Sequence, residues 1–333
     1  MTRFHFWMIG ACALAATAAL TGCKKERDAG KKVYTIGFSQ TTVKEPWRVL
    51  FNERLKEAAD KHPEVNLVIL DADDRTEEQV AQVRNFIDQK VDAILISPKE
   101  APGLTRPVEE AMDAGIPVIL LDRSVSTDKY TSFVGGDNLQ IGREAGKLAV
   151  KFLGGPGQAK GIIYEICGGL ASPPAQERRD GFHEIVEKEP GIKILGGLDA
   201  DWKKDNAMAK MQDALSRYSE IDLVYAHNDP MAHGAYLAAK QAGRADKIKF
   251  IGIDAMPDEG QRWVRTGELT ATLLYPTPGE KGLEVALDIL AGKPVEKRYI
   301  LPTRVFTQEN VDRGGDPVEP STPTPATAAA PAS

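Results

Sequence analysis

Cysteine is scarce in this chain of 333 residues, which has three: Cys12, Cys23 and Cys167. Cys12 sits in the apolar opening stretch and Cys23 just beyond it. The body of the chain therefore keeps only Cys167 and can form no intrachain disulfide. Cys167, in IIYEICGG, reads as a small buried hydrophobe rather than a nucleophile, because no Cys/His/Asp set accompanies it. Metal-ligand spacing is missing too. His62, His183, His227 and His233 are scattered, so no metal is expected. The acidic cluster Asp71, Asp73, Asp74 lacks the glycine and distal glutamate of a calcium loop and is expected to be solvated. The formal net charge of −6 is spread along the chain with no basic block, which argues against a nucleic-acid partner. The first βα turn, GFSQTTVKEPW, has neither a G-x-G-x-x-G fingerprint nor a P-loop. With no nucleophile–base pair either, neither a cofactor nor an enzyme is expected.

The two ends differ from the middle. The chain opens MTRFHFWMIGACALAATAALTGCKKE, with Arg3 ahead of an apolar run from Phe6 to Leu20. That run is short for a membrane span, which needs about 20 apolar residues, and fits a secretory signal over residues 1–22. Leu20-Thr21-Gly22-Cys23 resembles the lipobox of bacterial lipoproteins. The resemblance implies cleavage before Cys23, its lipidation, and attachment to a membrane through residues 23–32 as a tether. Residues 315–333 are rich in Pro, Thr and Ala, lack large apolar side chains and are expected to be a disordered tail. About 280 residues remain between, enough for two domains.

In that middle, short apolar runs alternate with helical patterns. Runs such as Tyr34–Ser39, Val65–Asp71, Val118–Asp122 and Lys249–Asp254 read as buried strands. Val49–His62 and Thr76–Gln89 read as amphipathic helices between them. The alternation predicts an α/β fold with doubly wound parallel sheets and helices on both faces. One repeat suggests two similar domains. VDAILISPKEAPGLTRPVEEAMDAGIPVILLDRS from Val91 matches IDLVYAHNDPMAHGAYLAAKQAGRADKIKFIGIDAM from Ile221 in layout. Each has a strand, a polar loop with Pro, a helix ending in Ala-Gly and a second strand closing on Asp. Asp122 and Asp254 thereby fall at the C-terminal ends of parallel strands, where open α/β sheets bind ligands.

The segments YTIGFSQTTVKEPWR, DAILISP, IPVILLDRS, GGDNLQIGREAG, AQERRDGF, YAHNDPMAHGA and FIGIDAM, in that order, are similar to the periplasmic sugar-binding proteins of bacterial ABC transporters. These are type I periplasmic binding proteins of the ribose/galactose-binding group, and the galactofuranose-binding branch is nearest. The resemblance spans most of Val33 to Thr303. It implies two lobes joined by a three-crossing hinge with the ligand cleft between them. Residues 33–136 plus 276–302 would form the N-terminal lobe, and 137–275 plus 303–314 the C-terminal lobe. The resemblance places Trp47 and Arg48 on the loop after the first strand, and Asp122 and Arg123 after the fourth. It places Arg178, Asn228, Asp254 and Tyr275 on the opposite side, with Asn138 and Asp229 as secondary candidates. Ser97 stands where ribose binders often carry Asn, and Glu45 replaces a polar amide, so ribose specificity does not transfer.

The residue types suit a sugar. An ionised Asp accepts from hydroxyls, an Arg donates through a planar fork, and a flat indole such as Trp47 covers the C–H face. Asp122 and Arg123 are expected to balance each other's buried charge. Asp229 is expected to cap the helix starting at Pro230, Asp137-Asn138 to cap another, and Trp202 to serve packing. The expected protein is an exported, lipid-anchored monomer. It would capture a monosaccharide, galactofuranose-like or another pentose or hexose, by hinge closure and deliver it to an ABC permease. A sensing role towards a chemoreceptor or histidine kinase uses the same chemistry. A sugar-responsive repressor does not fit, since a signal stands where a DNA-reading domain would be.

Overall fold

The computed structural model describes residues 32–319. The expected signal peptide, Cys23 and most of the tether and tail lie outside the described residues. Among the described residues no helix is long and apolar enough to cross a membrane.

The chain begins β1 (Tyr34–Gln40), α1 (Pro46–Ala59), β2 (Val65–Asp71), α2 (Thr76–Gln89), β3 (Ala93–Ile96), α3 (Ala101–Asp113), β4 (Val118–Leu121) and β5 (Ser132–Gly136). It continues α4 (Asn138–Phe152), β6 (Lys160–Cys167), α5 (Pro173–Val186), β7 (Gly191–Asp199), α6 (Lys204–Arg217), β8 (Leu223–Ala226), α7 (Asp229–Gln241) and β9 (Lys249–Asp254). It closes with α8 (Arg262–Arg265), β10 (Ala271–Leu274), α9 (Gly279–Leu290), β11 (Arg298–Leu301), β12 (Arg304–Thr307) and β13 (Asp316–Pro317).

Two sheets result. The first has the order β11-β5-β4-β3-β1-β2, the second β13-β12-β10-β9-β8-β6-β7. Pairing is parallel except where β12 meets β10 and β13. The chain changes sheets after Gly136, after Leu274 and after Leu301. The two orders are the same pattern: β2-β1-β3-β4-β5 matches β7-β6-β8-β9-β10. The repeat seen in sequence thus covers β3-α3-β4 and β8-α7-β9, and Asp122 and Asp254 end equivalent strands.

Strand alternation builds the layers. Ile94, Ile96, Val118 and Leu120 face α2 and α3 in one apolar cluster. Ala93, Leu95, Ile119 and Leu121 face α1 and α9 in another. That second cluster runs on into the other lobe through Val134, Ile141 and Tyr275 to Phe182, Tyr225 and Ile253. The fold is therefore α/β in two lobes, each with helices on both faces of its sheet.

Three local expectations are corrected. Helix α1 begins at Pro46 rather than Val49, because proline's fixed φ and missing N–H suit the first helical turn. Trp47 and Arg48 are accordingly helical, not loop residues. The folded body also runs past residue 314. Asp316–Pro317 pairs with Arg304 and Val305, and Val318 N–H donates to Thr303 O. An edge strand needs only backbone partners on one side, so composition did not reveal it.

A buried polar network supports the second sheet. Glu165 on β6 is bonded by His183 Nε2 of α5 at 3.0 Å and faces His227 Nε2 at 3.4 Å. His227 Nδ1 accepts from Gly168 N–H, which leaves the ring proton on Nε2 to donate to Glu165. Glu165, Cys167 and His227 place their heteroatoms within 4.8 Å of one another, but this tautomer denies a metal the Nε2 lone pair. Burial pushes the Cys167 thiol well up, as expected of an inert cysteine. Burial also works to raise Glu165, yet the two imidazoles outweigh it and hold the carboxyl at about 2. His183 is raised from 6.5, chiefly by its bond to Glu165. Glu165 therefore adds stability above the usual carboxylate range, lost as pH falls towards 2. His183 adds stability in full below 6.5, lost as pH rises through its raised value. Glu165→Gln is thus expected to lower the melting temperature most between about pH 4.5 and 6.5. Melting curves of both proteins across pH check this, and a pH-independent difference would contradict it.

Candidate ligand-binding site

The C-terminal ends of both sets of strands face one cavity of about 620 Å³, counting its open part. That size suits a small ligand. All eight primary candidates line it: Trp47, Arg48, Asp122, Arg123, Arg178, Asn228, Asp254 and Tyr275.

The N-terminal wall is organised by an ion pair. Arg48 Nη2 meets Asp122 Oδ2 at 2.8 Å, with both side chains buried. The other nitrogen, Nη1, donates to Gln40 Oε1 and Ser97 Oγ. Arg48, not Arg123, is therefore the main partner of Asp122, which corrects the expectation from adjacency. Residues next to each other at a strand end point apart, whereas the first turn of α1 faces the strand end squarely. Arg123 Nε lies 3.5 Å from Asp122 Oδ2 without a hydrogen bond, and Nη1 donates to Lys99 O. Burial works to raise Asp122, but Arg48 and Arg123 outweigh it and hold the carboxyl below its usual value. Burial and the neighbouring Arg48 pull Arg123 down to about 10. Tyr275 OH donates to Asp122 Oδ1 at 2.8 Å, and Trp47 Nε1–H donates to Tyr275 O at 2.9 Å. Trp47 also packs on Phe51 and Tyr275, so it is core and wall at once.

The C-terminal wall centres on Arg178. Nε donates to Asn138 Oδ1 at 2.9 Å and Nη1 to His227 O, while the guanidinium lies over the Tyr275 ring. Arg179, its neighbour, is exposed. Helices α4 and α5 pack backbone to backbone here. A Cβ on Gly142 would meet Arg178 O at 2.4 Å, and one on Gly181 would meet Leu139 O at 2.1 Å. The two glycines let α5 approach closely enough for Asn138 to hold Arg178.

The cap at α7 is the reverse of the expectation. Asn228 is the cap, accepting from Met231 N–H at 3.0 Å and donating to Trp202 O. Asp229 turns inward beneath the site, where its oxygens accept from Ala255 N–H and Thr272 Oγ1–H. Asn138 likewise supports the wall rather than lining it, and Asp137 caps α4 through Gln140 N–H. Asp254 has no side-chain hydrogen bond among the described residues. Burial raises it well above its usual value, and Asp229, Glu259 and Asp122 add to this against Arg178. Both strand-end aspartates are in the left-handed region, with φ of 68° at Asp122 and 127° at Asp254. Such strain in a non-glycine residue collects at functional sites.

Several lining residues escaped the sequence reading. Trp202, expected to pack elsewhere, lines the cavity with its ring under the Arg123 and Arg178 guanidinium groups. Asp74, expected to be solvated, accepts Lys99 Nζ at 2.7 Å and, across the cleft, Lys203 Nζ at 3.2 Å. Its neighbour Asp73 pairs with Lys44. A signal was present. LDADD at Leu70 and LDADW at Leu198 are one motif after equivalent strands β2 and β7. Asp73, Asp74, Asp201 and Trp202 all have positive φ, so the two loops turn alike.

Comparison with known proteins agrees with this architecture. Residues 36–294 match the model of the periplasmic binding protein domain. The ribose import binding protein of Bacillus subtilis (strain 168) is 31% identical over 86% of this chain and 91% of its own. The galactofuranose-binding protein of Escherichia coli (strain K12) is 36% identical over 67% and 72%. A solved fructose-binding periplasmic domain of a hybrid two-component system superposes with a TM-score of 0.81 at 40% identity, covering 84% of this chain and 93% of that one. A Mycobacterium smegmatis structure in complex with β-D-fucofuranose gives a TM-score of 0.79 at 33% identity, covering 85% and 94%. With its two lobes, three crossings and shared cleft, the chain belongs to the periplasmic binding protein family.

Proposed function

We propose that this protein is an extracytoplasmic receptor that captures a monosaccharide between its lobes and delivers it to an ABC sugar permease. The observation that carries the reading is the convergence of buried charged groups from two lobes on one cavity. Neither wall is complete alone. Arg123 and Arg178 offer donors, and Asp122 and Asp254 offer carboxyl oxygens, within one desolvated space. A hydroxyl both donates and accepts, so a polyol satisfies such a mixed set where a hydrocarbon or a simple anion does not. Trp47 and Trp202 supply flat faces for the C–H side of a ring. The relatives named for ribose and galactofuranose, and the complex with fucofuranose, support a galactofuranose-like sugar or another pentose or hexose.

Closure follows from the crossings at 137, 275–278 and 302–303, where few residues need to change conformation. Lys203 to Asp74 bridges the mouth when the lobes are together. Lipidation at Cys23 would hold the receptor on the outer face of a membrane within reach of its permease. A second reading has a specific support. The relative from a hybrid two-component system makes a sensing output compatible with the same site.

Arg178→Ala is expected to weaken sugar binding about 100-fold or more, as when a buried charged partner is lost at about 2–5 kcal/mol, and Asp254→Ala about tenfold or more, as when a buried hydrogen-bond partner is lost at about 1–3 kcal/mol. Titration calorimetry reads this, with circular dichroism confirming the fold. Unchanged affinity in both variants would sink the site assignment. Asp122→Ala is expected to destabilise as well, because it strands Arg48 in the interior. Heat-stabilisation by sugars but not by nucleotides separates the receptor reading from a nucleotide-using enzyme.

Lys203→Ala is expected to raise the ligand off-rate about two- to fivefold, with less difference at high salt, because the bridge is partly exposed. Stopped-flow dissociation measures it. A change confined to the on-rate would contradict a role in holding the cleft shut.

A further inference from the structure

The acid at the end of β9 is aimed by its backbone. In the first lobe Asp122 is fixed by bonds to its own carboxyl, from Arg48, Ser97 and Tyr275. Asp254 lines the same cavity with no such bond among the described residues. Its direction therefore comes from the turn that carries it. In that turn Asp254 and Ala255 take positive φ in succession, 127° and 51°. Residues with a side chain hold such angles only where their surroundings over-determine them.

Two side chains grip this turn. From beneath, Asp229 Oδ2 accepts from Ala255 N–H at 2.7 Å, while Oδ1 accepts from Thr272 Oγ1–H at 2.6 Å. From the side, Gln261 Nε2 donates to Ala255 O at 2.8 Å. Ala255 is thus held at both its N–H and its C=O. Asp229 has no access to the ligand itself, being fully buried and outside the cavity lining. Its carboxyl sits in a notch left by two glycines. A Cβ on Gly252 would collide with Oδ1, and one on Gly260 with Oδ2. Among the described residues no cation is hydrogen-bonded to it. A buried acid without a cation is a costly way to fill space, and its bonds go to the turn and to the neighbouring strand β10.

We propose that Asp229 is a positioning residue for ligand binding: with Gln261 it locks the turn at 254–255 and so points the Asp254 carboxyl into the cleft. This deepens the sugar-receptor reading and rests on it. Asp229 then influences sugar affinity only through Asp254. The two lobes orient equivalent acids by different means, one through bonds to the carboxyl and the other through bonds to the backbone behind it.

A double-mutant cycle tests the dependence. Calorimetry is run with D-ribose, L-arabinose, D-galactose, D-glucose and D-fructose, and circular dichroism checks the fold. Asp229→Ala is expected to weaken binding about tenfold in the wild-type background and less than about twofold when Asp254 is already Ala, as for residues that act as one unit. Asp229→Asn is expected to lose at most about threefold, because its amide keeps an acceptor for Ala255 N–H and can donate to Thr272 Oγ1. Gln261→Ala loosens the same turn from a half-buried position, which keeps the test open if Asp229→Ala does not fold. Its loss is expected to be about threefold and again to vanish without the Asp254 carboxyl. Equal losses in both backgrounds, full affinity in Asp229→Ala, or Asp229→Asn as damaging as Asp229→Ala overturns the positioning role and leaves the receptor reading intact. Failure of the wild type to bind any of the five sugars overturns the receptor reading and this inference with it.

Discussion

The buried pairing of Arg48 with Asp122 is the contact on which the rest of the site depends. Two charges with side chains 7% and 4% exposed are tolerable only when each is bonded on several sides. Arg48 is bonded by Gln40, Ser97 and Asp122, and Asp122 by Arg48, Ser97 and Tyr275. Through Tyr275 the pair reaches the second crossing between lobes, and through Trp47 the same crossing is fastened to α1. The binding wall and the hinge are thus one hydrogen-bonded piece. On the proposed function, a ligand that touches Asp122 would act directly on that crossing.

The opposite wall is built differently. Arg178 is held by an asparagine side chain and a backbone carbonyl, and among the described residues no carboxylate is hydrogen-bonded to it. Its positive charge is buried and faces the cavity. Asp254, equivalent to Asp122 in topology, has no arginine bonded to it among the described residues and is pushed towards its neutral form by burial. One lobe therefore brings a neutralised acid–base pair, and the other brings an arginine and an aspartate whose bonding is unfinished. On the proposed function, a guest rich in hydroxyls would complete the second wall, because each hydroxyl can serve either group. The asymmetry gives the two lobes different tasks from a repeated topology.

Much of this was legible in the chain. Period and apolar runs located ten strands, since buried parallel strands are nearly continuous in Val, Ile and Leu. The Asp at the end of Val118–Leu121 and of Ile251–Ile253 marked the binding edge, because strand ends in such sheets open on the ligand crevice. What stayed hidden depended on contacts distant in sequence. Adjacency suggested Arg123 as the partner of Asp122, yet a helix 74 residues away supplies it. The cap at α7 fell to Asn228 because Thr272 and Ala255 claim Asp229. Trp202 looked like packing because its loop is polar, and its role required the facing lobe. Strands β11 to β13 carry little apolar signal, being edge or near-edge strands that crossings bring together.

The most direct test of the central claim is native mass spectrometry of the purified protein. If charged groups of both lobes close on a hydroxyl-rich guest, a share of the molecules is expected to carry one added monosaccharide mass. That mass would disappear on gentle unfolding and be recovered as a neutral sugar. A mass corresponding to a nucleotide, or a protein that stays bare after incubation with a broad set of pentoses and hexoses, would contradict it.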